Sequence, residues 1–337
     1  MRDTWVDYAK ALGIILVVTG HVNRGLYSSG IYISKEFFIL LDSVIYTFHM
    51  PLFFFLSGLF FVKSIDKNGK KKFFINKLDT IFYPYILWSL LQGGIEVILS
   101  KYTNSKTTLV DVLSFFIYPR AQFWFLYALF MVFIVAGLIY NKNNFNKSLP
   151  IILIISFFAY ISTNIIGKSF HADYISNYIV FFFIGCLYKN LSTEKSTSFM
   201  SNWFLILTIF IIFCSMQYIF HIIMKLTYTD TGVATFIIAI TGIIFISLLS
   251  MRFALMKIKP LETIGTLSMV IYLVHILAGS GSRIILSKVF HIQNWYIQII
   301  FGTIIGIGAP IIFYALTKKL NINFLFSLPK RSKSSNK

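Results

Sequence analysis

Three histidines stand out because each lies inside an apolar run: His21 in LGIILVVTGHV, His49 in IYTFHMPLFFF and His275 in SMVIYLVHIL. An ionisable side chain at the centre of a membrane-length segment costs roughly 2.5 to 3.5 kcal/mol on insertion scales, so it marks a functional site by default. Imidazole titrates near neutrality and can take a proton from a hydroxyl, which makes general-base chemistry the natural use of such a group. With a rise of about 1.5 Å per residue, His21, His49 and His275 fall roughly 18, 20 and 17 Å from the same ends of their segments. A single buried histidine is readily satisfied by a neighbouring hydroxyl. Three at one depth point to a shared site.

The neighbours of these histidines extend the pattern. Lys10 precedes His21 by eleven residues, which returns a helix to within about 20° of the same face. Asp7 lies one turn before Lys10 and can pair with it; alternatively, Lys10 snorkels to the headgroups and Asp7 merely neutralises it. Asp42, Tyr46 and His49 share a helix face at spacings of four and three, a polar stripe that should face the bundle interior. Pro51 removes a backbone hydrogen bond, so a kink is expected beside His49. Ser57 and Gly58 are small enough to permit close helix approach.

The elements that must carry these residues are membrane helices. Of 337 residues, 57% are hydrophobic and 12% charged, against about 25% charged in soluble domains. The fold class is all-α and polytopic, a single domain over 1–337 with a basic tail at 321–337. Ten spans can be drawn: 9–27, 39–62, 78–99, 123–140, 149–166, 174–188, 203–223, 232–250, 264–287 and 295–316. With both termini cytoplasmic, 21 of the 30 basic residues collect on one side, in accord with the positive-inside bias. That topology accounts for the net charge of +18 better than nucleic acid does, because the lysines and arginines are not gathered on one exposed face. Cys186 and Cys214 lie in apolar spans without metal-ligand spacing and read as packing residues; no metal site is indicated. The first span lacks a small-residue cleavage site and is read as a retained helix.

The loop from Lys63 to Lys77 carries the densest positive charge, including Lys70, Lys71 and Lys72. It reads either as a headgroup anchor or as a phosphate site for a nucleotide-bearing donor. The long outer loop ends in YPRAQFWFLYALF. There Trp124 suits either an aromatic belt or a substrate contact, and Arg120 either a headgroup or a substrate.

The first 130 positions resemble the membrane-bound acyltransferases of family 3, most of all their sugar O-acetyltransferase branch. The matching stretches are DYAKALGIILVVTGHV, FHMPLFFFLSG, FYPYILWS, QFWFLYALF and, far downstream, IYLVH. The family places a basic residue, commonly arginine, eleven positions before its catalytic histidine, which implies Lys10 and His21 here; lysine keeps the charge and loses the bidentate fork. The family's arginine-rich segment before the third helix is matched by Lys77 and Pro84, with Leu78 and Ile81 where arginines often stand.

The resemblance implies transfer of an acyl group, most simply acetyl from acetyl coenzyme A on the cytoplasmic side, to a hydroxyl of an envelope sugar or polysaccharide. On this reading His21 is the base, and Asp42 or His49 orients it or relays the proton. Lys10, Lys71, Lys72 and Lys77 hold donor phosphates, while Arg120, Trp124 and His275 face the acceptor. No bound cofactor is expected beyond the acyl-CoA substrate. The rival reading is a transporter or flippase for a lipid-linked glycan, in which the buried polar groups line a path. Such transporters often carry paired broken helices in repeated halves, and no such pairing is visible.

Overall fold

The helix from Trp5 to Ser28 (α1) occupies the middle of the bundle, and its small residues explain why. Ala9, Ala11, Gly13 and Gly20 leave its surface low enough for neighbours to close in on several sides. The computed structural model describes residues 4–99, 108–167, 172–192 and 201–328. Among them there is no β-strand. The helices that follow are Lys35–Tyr46 (α2), His49–Gly58 (α3), Phe61–Lys77 (α4), Tyr83–Ile98 (α5), Leu109–Leu113 (α6) and Trp124–Ile139 (α7). After these come Phe145–Ile161 (α8), Thr163–Ile166 (α9), Ala172–Ser176 (α10), Ile179–Leu191 (α11) and Trp203–Tyr218 (α12). The chain closes with Val233–Met256 (α13), Lys259–Thr266 (α14), Ser268–Lys288 (α15) and Trp295–Lys319 (α16). Around α1 stand α2, α3, α13, α14, α15 and α16.

Eight helical stretches among the described residues are long and apolar enough to cross a bilayer. Two shorter apolar helices, α8 and α11, occupy the fifth and sixth expected spans. Backbone groups in a bilayer have no water to bond, and only closed helices satisfy them there, so this is a multi-pass membrane protein.

The second expected span is broken into α2 and α3 at Thr47 and Phe48. Pro51 stands in the first turn of α3, where its missing N–H leaves the Thr47 carbonyl without an i+4 donor. The break thus falls on the N-terminal side of His49, and α3 starts at the histidine itself.

The expected Lys63–Lys77 loop is instead helix α4, interrupted at Gly69, whose φ of 72° requires the left-handed region. Phe61, Ile65 and Phe73 are buried along it while Lys63, Lys67, Lys70, Lys71 and Lys72 are exposed. An amphipathic pattern of this kind stabilises a helix lying against the bundle, which a count of charges alone does not reveal. Gly58 and Gly185 face one another where α3 crosses α11. A Cβ at Gly58 would collide with the Phe182 carbonyl, and one at Gly185 with that of Phe55.

The C-terminal segment also departs from a free tail. Residues 320–328 fold back over α5: Tyr83 Oη donates to the Phe324 carbonyl at 2.8 Å, and Trp88 Nε1 to that of Leu325 at 2.7 Å. Positions 329–337 of the expected tail lie outside the described residues. Cys186 is buried, whereas Cys214 is exposed on α12 and does not pack in the core.

Candidate functional site

Within α1, helical periodicity alone puts Lys10 and His21 on one face, and Arg24, one turn beyond His21, continues it. Around the His21 ring the fold assembles side chains from two other parts of the chain. The ring of His275 lies 5.2 Å away centroid to centroid, and that of Tyr46 6.3 Å away. His49 stands behind Tyr46, its ring centroid 4.5 Å from the tyrosine's in an edge-to-face contact. Tyr46 thus meets the rings of both His21 and His49, and His275, from a helix distant in sequence, brings a second imidazole against His21.

The ring orientations are set by backbone carbonyls. His49 Nδ1 donates to the Ile45 carbonyl at 2.7 Å, and His275 Nδ1 to the Tyr272 carbonyl at 2.7 Å. A carbonyl only accepts, so each Nδ1 carries the proton and each Nε2 presents a lone pair. Both Nε2 atoms are buried without a hydrogen-bond partner. Buried acceptors in this condition are uncommon in folded proteins.

Asp42 does not reach His21. The Arg24 guanidinium takes it in a bidentate pair, Nε to Oδ1 at 2.6 Å and Nη2 to Oδ2 at 2.8 Å. Arg24 also lies over the Tyr46 ring at 3.4 Å and donates to the Tyr228 hydroxyl at 3.0 Å. Sequence reasoning missed Arg24 and Tyr228. An arginine one turn beyond His21 on its own face was a usable signal for the first. Tyr228, in the polar turn TYTDTG, offered none.

His21 and His275 line a small cavity of about 20 Å³ together with Arg283 and Gln298, and two larger cavities nearby have no histidine among their described lining residues. The first, about 270 Å³, is lined by Lys10, Ser57, Lys77, Phe133 and Tyr272 among others. Lys10 pairs with Asp7 at 3.6 Å, and the Lys77 ammonium sits 3.9 Å from the Phe133 ring centroid. Lys77 ends α4 at the π-helical turn Leu78–Phe82, a feature frequent at functional sites. Lys71 and Lys72 are exposed and do not line this cavity. The second, about 390 Å³, is lined by Tyr46, Pro51, Asp173, Tyr178 and Tyr228 among others. Consecutive residues of α3 thus serve different cavities: Met50 lines the first and Pro51 the second, with His49 fully buried beside them.

Two expected acceptor contacts lie outside both cavities. Arg120 is bound to Glu96 at 3.0 Å, within a polar group that includes Gln92 and Gln122. Trp124 packs behind the second cavity, its ring 5.5 Å from those of Tyr174 and Tyr178. Among the described residues no cluster of His, Cys, Asp and Glu could hold a metal ion.

The acyltransferase domain model matches residues 3–315, nearly the whole chain. The chain belongs to acyltransferase family 3. It is also similar to the nodulation protein NolL of Mesorhizobium japonicum, 27% identical over 146 residues, which are 42% of this chain and 37% of that protein. With NolL of Sinorhizobium fredii it is 29% identical over 148 residues, 43% of this chain and 39% of the relative. The matched region thus spans about two-fifths of the length of these curated relatives. No solved structure matches. Lys10 and Lys77 come from two different helices to line one cavity.

Proposed function

We propose that this protein transfers an acyl group, acetyl in the simplest case, from a coenzyme A thioester to a hydroxyl of a cell-envelope sugar. The observation that supports this most is the meeting of His21, His275 and Tyr46 in a bundle that carries two larger cavities of different character. The cavity with Lys10 and Lys77 has two cations among mostly apolar walls, suited to a thioester arm with its phosphates near the mouth. The other cavity is rich in tyrosine, threonine and asparagine, suited to a polyhydroxyl compound. Tyr272 belongs to the first wall and lies 6.0 Å from the His275 ring, while Tyr46 belongs to the second and touches His49. Positive-inside bias puts the Lys10 end in the cytoplasm, where acyl-CoA is available.

In the proposed reaction His21 takes the proton of the sugar hydroxyl as its oxygen attacks the thioester carbonyl. The C–O bond forms, the C–S bond breaks, and the thiolate of coenzyme A leaves and collects the proton. His275 and His49, held with their Nε2 lone pairs free, accept or pass that proton. Arg24 and Asp42 position Tyr46 and do not themselves meet the reacting atoms. The test is His21→Ala. Removing the base is expected to lower acylation of the envelope glycan by about 10² to 10⁴-fold. Membrane abundance should stay normal, because deleting a histidine from an apolar helix eases insertion. If acylation continues unchanged at normal abundance, the assignment fails, and transport of a lipid-linked glycan becomes the better account of the buried histidines.

A further inference from the structure

We infer that the cavity beside Tyr46 is a subsite for an uncharged sugar ring, read by Asp173 and Asn177 and closed to acidic sugars. The inference rests on the acyl-transfer reading for what the sugar does there, and on separate observations for its chemistry.

Asp173 and Asn177 are one helical turn apart at the α10 end, tied by the Asn177 N–H to the Asp173 carbonyl at 3.0 Å, so their side chains emerge on the same side. Both line the cavity, and each keeps a buried side-chain oxygen, Oδ1 in both cases, without a hydrogen-bond partner. The Tyr46 hydroxyl, also part of this wall, is buried and unpartnered too. Two of these three groups are oxygens that can only accept while Asp173 is ionised, so what satisfies them is a ligand presenting donors. Neighbouring ring hydroxyls of a saccharide are such donors, and leaving buried acceptors unmet costs more than a typical hydrogen bond gains.

The remaining walls agree. Tyr160, Tyr178 and Tyr228 line the cavity as apolar rings with a polar tip, which suits the mixed C–H and O–H surface of a pyranose. The volume of about 390 Å³ falls in the range of small-molecule sites. Charge then selects among sugars. Among the described residues lining this cavity there is no lysine, arginine or histidine, and Asp173 is the one with a formal charge. Arg24, which packs on Tyr46, is already engaged by Asp42 through both oxygens. A uronate or a sugar phosphate would bring a second negative charge against Asp173 with no counter-ion among these described residues, a rejection built from repulsion.

Saturation-transfer NMR on the purified full chain in detergent tests this directly. The probes are the methyl glycosides of glucose, galactose and N-acetylglucosamine, each uncharged, and the methyl glycosides of glucuronic and galacturonic acid. Saturation of at least one neutral probe is expected, with the acids weaker by about tenfold or more. Asp173→Ala and Asn177→Ala should each cut the neutral signal, and Asp173→Lys should turn the preference toward the acids. Equal saturation of acids and neutral sugars in the unmodified protein, no saturation by any neutral probe, or an Asp173→Lys variant with unchanged preference overturns the inference. Where a variant does not fold, the two probe classes on the unmodified chain still decide. Sugar selectivity with acylation unaffected by His21→Ala would leave the subsite standing and remove only the proposed base.

Discussion

The two cations of α1 make an instructive pair. Lys10 and Arg24 sit toward opposite ends of one helix, each has a nearly buried aspartate partner, and their side chains are similarly exposed, at 36% and 32%. Burial does not separate them; geometry does. Lys10 meets Asp7 at one distance of 3.6 Å, whereas Arg24 grips Asp42 with two bonds under 3 Å and lies flat on Tyr46. A loosely held ammonium can turn to a passing anion. A guanidinium with its fork and its face both engaged is part of the scaffold. One helix thus carries a loosely held basic group at one end and a structural one at the other.

The sharpest test of that contrast is at Arg24. Arg24→Ala leaves Asp42 charged and uncompensated in a buried position, which should cost about 2 to 3 kcal/mol, below the full value for a buried pair because the arginine is about a third exposed. Thermal unfolding in detergent and membrane abundance would show it, with acylation reduced further as Tyr46 loses its position. Arg24→Lys should rescue little, since lysine offers neither the fork nor the planar stack.

At the other end the expectation reverses. Lys10→Arg should retain activity, while Lys10→Ala should raise the KM for acyl-CoA by about tenfold and shift stability less than Arg24→Ala does, because the pair is a single loose contact at 3.6 Å. A rescue by Arg24→Lys together with a failure of Lys10→Arg would invert the comparison. The smallest effect is expected at Lys71 and Lys72. Their joint replacement by alanine should change the KM by about twofold at low salt and less at high salt, because exposed charges act through screened fields.

Much of this was legible before any fold. Helix positions follow from hydropathy, since a bilayer leaves the backbone no other way to satisfy its own groups. The Lys10–His21 face follows from 3.6 residues per turn, and the interruption near His49 follows from Pro51. The lysines of α4 were a harder case. Composition marked all of them alike, and only the burial of Phe61, Ile65 and Phe73 shows that Lys71 and Lys72 face away while Lys77 reaches the cavity.

The sequence by itself determined what a single helix can determine: its apolar stretch, its polar face and its break. Those quantities depend on residues a few positions apart, where covalent geometry leaves little freedom. Tertiary structure decided the partners. Arg24 reaches Tyr228 across 204 positions, and His275 comes to His21 from the ninth apolar stretch of the sequence rather than the second. Which faces meet depends on how side chains interlock between helices, Gly58 against Gly185 among them, and no local rule carries that information. The two cavities, and the difference in chemistry between them, exist only once those helices have packed.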